Sequence, residues 1–149
     1  MQTSVSPILL FAMLAGILGL AAIVVAFCLR PTKQSRIGFT VAVLPALLML
    51  ALFYSLAIHM HQSLGAWPTS IGERGFPAPL VTHGYIAVNY FGVLVMGSIF
   101  VWPVAFLLCL AIRRWRVCLY YLGVFALTCL VCFGAMLLAP SQFLNWWWD

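Results

Sequence analysis

Apolar positions in this chain do not alternate as in a strand. They fall into four long, nearly unbroken runs separated by short polar stretches. The runs are approximately 8–29 ("ILLFAMLAGILGLAAIVVAFCL"), 37–60, 83–112 and 117–139. Each exceeds the ~20 residues an α-helix needs to cross ~30 Å of hydrocarbon. Lipid supplies no hydrogen-bond partners, so such segments must satisfy their own backbone as helices. The alternating pattern of a membrane β-strand is missing from the sequence. The expected fold is therefore all-α: an integral membrane four-helix bundle. Residues 1–149 would form a single transmembrane domain, with an ordered extracytoplasmic loop between helices 2 and 3.

Composition strengthens this picture. Charged residues make up 6% of the chain, against about 25% in a typical soluble domain. The formal charge of +5 does not point to nucleic acid, because the basic residues are few and sit at segment ends. Arg30, Lys33 and Arg36 lie between the first two spans, and Arg113, Arg114 and Arg116 between the last two. Only Arg74 lies elsewhere, beside Glu73. The positive-inside rule places both basic connectors in the cytoplasm. Both termini and the loop between His59 and His83 are then extracytoplasmic, in a bacterial-type inner or plasma membrane. The opening "MQTSVSP" lacks the basic n-region of a signal peptide, so the first run reads as a retained helix. Cys28, Cys109 and Cys118 fall near the expected cytoplasmic ends and Cys129 and Cys132 mid-span, which argues against a disulfide-stapled outer fold.

Within the runs, Ala12 with Gly16 and Ala15 with Gly19 form small-residue faces suited to close helix packing. Pro45 and Pro103 each remove a backbone donor inside a span and favour a kink. Trp146, Trp147 and Trp148 close the chain. With Trp67 and Trp115 they are expected as membrane-interface anchors, because tryptophan favours the headgroup region.

Candidate chemistry concentrates between the second and third runs. All three histidines lie in or beside a connector of about 22 residues, long enough to suggest function. Ser55, His59 and Gln62 share one helical face if the second helix reaches Gln62. Tyr85 and Asn89 share a face of the third helix, and His83 and Tyr90 a neighbouring one. An unpaired Asn89 amide in lipid would be costly and should have a partner.

Three readings of this cluster compete. In the first, the histidines are interface residues bonded to loop backbone. In the second, His59 and His83 bind a cofactor, haem or a transition metal, with His61 or Met60 as a further metal ligand; imidazole suits Zn, Cu and Fe, and thioether suits Cu(I). His59 and His61 are two residues apart and point to opposite sides of a regular helix, so the two cannot chelate together without a turn. In the third, a small amphiphile such as a lipid headgroup or quinone is held in a pocket drawn from Ser55, Gln62, Arg74, Tyr85, Asn89 and Tyr90.

Catalysis has little support. Glu73 and Asp149 are the only acids, no nucleophile-elbow motif is present, and Cys129-x-x-Cys132 lies mid-span, away from a cation that would activate it. The leading expectation is a non-catalytic accessory or scaffold subunit without a cofactor. Its partners would be the lipid bilayer and other membrane-protein subunits or copies of itself. The alternative is a cofactor-, metal- or amphiphile-binding membrane protein that uses the histidine cluster.

Overall fold

The computed structural model describes residues 23–24, 28, 35–68 and 75–149. The first expected span, 8–29, and its small-residue faces lie outside the described residues, apart from Ile23, Val24 and Cys28, which are helical. The described elements are α1 (Arg36–Leu64), α2 (Ala78–Ala111), a short 3-10 turn over Arg113–Trp115, α3 (Arg116–Met136) and α4 (Ser141–Trp148). Among the described residues there is no strand. Three segments, Arg36–Leu64, Ala78–Ala111 and Arg113–Met136, are long and apolar enough to cross a membrane.

The helix ends depart from the hydropathy boundaries for local reasons. The N-terminus of α1 is capped by Ser35, whose Oγ accepts from the Gly38 N–H at 3.3 Å. The helix continues past residue 60 to Leu64 and stops at Gly65, whose φ of 68° suits glycine and whose N–H donates to the His61 carbonyl at 3.0 Å. It therefore includes His61 and Gln62.

The larger difference is at α2, which begins at Ala78 rather than His83. Pro77 and Pro79 read as loop formers in sequence. A proline in the first helical turn, however, lacks only a donor that would have no partner there. The Leu80 and Val81 N–H groups both donate to the Pro77 carbonyl, at 2.9 and 3.2 Å. His83 thus stands inside the helix, and the connector shortens to 65–77, of which 69–74 lie outside the described residues.

The described fold divides into two compact units: Met1–Val43 with Met96–Thr128, and Leu44–Val95 with Cys129–Asp149. In the first, Trp102 and Phe106 stack at 5.3 Å and are buried with Cys109 and Leu119. The Trp102 indole N–H donates to the Leu122 carbonyl at 3.2 Å. The Ser35 N–H donates to the Tyr121 hydroxyl at 2.8 Å. Gly38 permits that approach, since a Cβ there would lie 2.7 Å from a Tyr121 ring carbon.

The second unit is built on interlocked aromatic rings. Phe53 and Phe143 are fully buried and meet at 5.0 Å, and Trp147 closes on Phe53 at 5.0 Å edge-to-face. Leu56, Met60, Leu80 and Met136 are buried in the same cluster. The short α4 supplies Phe143, Trp146 and Trp147 to it. Two tyrosines bond across helices. The Tyr54 hydroxyl donates to the Ala135 carbonyl at 2.7 Å, and the Tyr90 hydroxyl donates to the Pro45 carbonyl at 3.1 Å.

Candidate functional site

Within the second unit, two helices bring three of the sequence-selected residues together. Ser55 and His59 lie one turn apart on α1, so their side chains share a face. His83 lies on α2 and reaches both. Its Nε2 is 3.1 Å from the Ser55 Oγ, and its Nδ1 is 3.0 Å from the His59 Nδ1. The two imidazole rings are 5.3 Å apart and tilted by 35°. Both are half-buried. The same two helices contribute the fully buried Leu56, Met60 and Leu80 to one core cluster.

The tautomers are assigned from the hydrogen-bond network, taking the Ser55 hydroxyl as the donor to the backbone. The Ser55 hydroxyl has one proton, which it donates to the Leu52 carbonyl at 3.0 Å. Toward His83 the oxygen is then an acceptor, so His83 carries its proton on Nε2. In neutral His83 the Nδ1 lone pair therefore faces His59, and the His59 Nδ1–H donates to it. The His59 Nε2 remains an acceptor in this arrangement. A chain of donors runs from His59 through His83 and Ser55 to the α1 backbone.

The remaining candidates are not part of this cluster. His61 is exposed on α1, and its ring lies 4.7 Å from Trp67. Among the described residues no three His, Cys, Asp or Glu side chains come together in a metal-binding group. Gln62 and Tyr85 are exposed. Asn89 is exposed too, and its amide donates to the Tyr85 carbonyl at 2.7 Å. The partner expected for it is a backbone group of its own helix. Tyr90 is engaged at Pro45. Arg74 lies outside the described residues. Of the tryptophans, Trp67, Trp146 and Trp147 are packed against the aromatic core, whereas Trp115 is 46% and Trp148 49% exposed.

Sequence reasoning passed over α4 and Phe143. A signal existed: Pro140 followed by Ser141 at the end of an apolar run is a helix-start pattern, and Phe143, Leu144, Trp146 and Trp147 follow at helical spacing. Tyr54 and Tyr121, the two tyrosines that lock helix pairs, carried no comparable signal.

Fold and site together define an all-α protein whose three long apolar helices fit a membrane protein and whose histidines from two helices pair side by side. No protein family, curated protein or solved structure matches the chain.

Proposed function

We propose that this chain is a four-span integral membrane protein that binds a small ligand at the His59–His83 pair, without catalysing a reaction on it. The observation that carries the reading is the 3.0 Å Nδ1–Nδ1 contact between spans, buttressed by Ser55. Imidazoles are polar and costly to hold near hydrocarbon, and an ionisable pair within spans is by default a functional-site hypothesis. The distribution of Lys and Arg supports an extracytoplasmic location for the pair and for both termini. Ser55 belongs to the site as the group that orients His83. Gln62, Tyr85 and Asn89 are exposed on the same two helices and could contact a bound molecule from outside the pair.

The test is a natively purified preparation analysed for visible absorption, metal content and solvent-extractable molecules. A bound species present in the wild type and lost in both His59→Ala and His83→Ala supports the reading. Identical contents in folded wild-type and variant protein would refute it.

A second reading, an accessory or scaffold subunit, would use the large apolar side chains exposed on α2 as its contact surface. Val101 is 66% exposed and Leu107 60%. Such a face suits lipid or a second membrane protein equally. Stoichiometric co-purification of one partner, abolished by polar substitutions at Val101 and Leu107, would establish it. Purification as a lone chain from gently solubilised membranes would count against it.

A further inference from the structure

We infer that His59 and His83 chelate one divalent transition-metal ion through their two Nδ1 atoms, in a square-based site of the copper(II) or nickel(II) type. The inference rests on the ligand-site reading above and names its ligand.

The geometry supplies the first argument. Imidazole nitrogens bind such metals at roughly 2.0–2.1 Å. Two nitrogens 3.0 Å apart, each at that distance from one ion, subtend an angle of about 95° at the metal. That is close to the cis angle of square-planar or tetragonal coordination, the geometry of copper(II) and nickel(II) with nitrogen donors. Tetrahedral zinc would spread the same nitrogens to about 3.3 Å. A haem held between the rings would need its axial nitrogens about 4 Å apart on opposite sides of a porphyrin plane. Two rings whose Nδ1 atoms sit side by side leave no room for one.

The second argument is the partner on the far side of His83. A metal-bound imidazole characteristically donates its other N–H to an outer acceptor, which fixes its tautomer and orientation. Ser55 does this here. With its own proton on the Leu52 carbonyl, it accepts from His83 Nε2–H and leaves the His83 Nδ1 without a proton on the side that faces His59. His59 needs only to move its proton from Nδ1 to Nε2, an exchange between neutral tautomers with no net proton released.

The supports are the third argument. Both donors stand on helices anchored by fully buried side chains, Leu56 and Met60 on one and Leu80 on the other, so the bite is preset rather than assembled by a loop. His61, turned to Trp67, is not a ligand. Two protein donors leave the other coordination positions to exogenous small ligands.

The experiment uses full-length protein, purified in mild detergent, freed of any affinity tag and stripped of metal, then titrated with copper(II), nickel(II) and zinc(II). Copper(II) is expected to bind at one equivalent, with an electron paramagnetic resonance spectrum showing coupling to two nitrogens. His59→Ala and His83→Ala should each weaken binding by at least about a hundredfold. Ser55→Ala should weaken it by about tenfold, the lower range for losing an outer partner. His61→Ala should leave it unchanged. Unfolding curves identify any variant that fails to fold, and His59→Gln, similar in size, then replaces His59→Ala.

One-equivalent binding that survives His59→Gln or depends on His61 overturns the inference. So does folded wild type that takes up no copper or nickel. If that protein still yields a His59-dependent organic molecule on extraction, only the metal assignment falls. If it yields none, the ligand-site reading falls with it.

Discussion

The two units of this protein draw on the same three long helices yet are fastened differently. In the first, the described core rests on one stacked Trp102–Phe106 pair with Cys109 and Leu119. In the second, rings from α1, the 65–77 connector and α4 interlock around Phe53 and Phe143. Lipid tails are as apolar as leucine, so burial alone gives helices in a membrane little reason to associate. Close packing and interhelical hydrogen bonds must hold them. The unit richer in interlocked rings is also the one that holds two imidazoles at a fixed distance.

The comparison can be broken by substitution. The largest effect is expected from Phe143→Ala, which empties the centre of the aromatic cluster. It should destabilise the protein by about 3 kcal/mol, measured by denaturant unfolding in detergent. Phe106→Ala, in the first unit, should cost less, because its ring meets one neighbouring ring where Phe143 meets several. Equal losses would erase the distinction between the units. Gly38→Ala comes next. Its methyl would press on the Tyr121 ring, and overpacking of this kind costs about 1–3 kcal/mol. The added substitution Tyr121→Ala should recover part of the loss, a non-additivity that a double-mutant cycle detects. Full additivity would show that the two residues do not meet.

Smaller effects probe single hydrogen bonds. Tyr54→Phe removes the bond to the Ala135 carbonyl and should cost about 0.6–1 kcal/mol, the size of a typical hydrogen bond within a membrane bundle or a protein interior. Asn89→Leu should change stability by less than about 0.5 kcal/mol, because the bond it removes lies within one turn of one helix. A loss above that range would show that Asn89 has a partner on another element.

How much of this was written in the sequence depends on the scale of the question. Helical class and membrane length follow from uninterrupted apolar runs, because in lipid the backbone has one way to satisfy itself. The placement of Ser55 with His59 was legible from their spacing, a consequence of 3.6 residues per turn. The sequence also paired His59 with His83 as one candidate site, because the connector joins the two spans at that end. That His83 stands inside α2 was not legible, since the two prolines near the start of that helix read as loop until seen as first-turn residues. The Nδ1–Nδ1 contact depends further on rotamers set by packing against buried neighbours, which no single-sequence pattern carries. The tryptophans mislead in a similar way. Composition marks them as interface residues, but Trp146 and Trp147 also complete a core, and nothing in "NWWW" separates the two roles.

The central claim is that His59 and His83, from different spans, form one coupled pair. Nitrogen-15 spectra of histidine-labelled, metal-free protein in detergent or nanodiscs test it most directly. His83 is predicted to appear as the Nε2–H tautomer, and its Nδ1 resonance should shift when His59 is replaced but not when His61 is. A His83 spectrum indifferent to His59 would contradict the account.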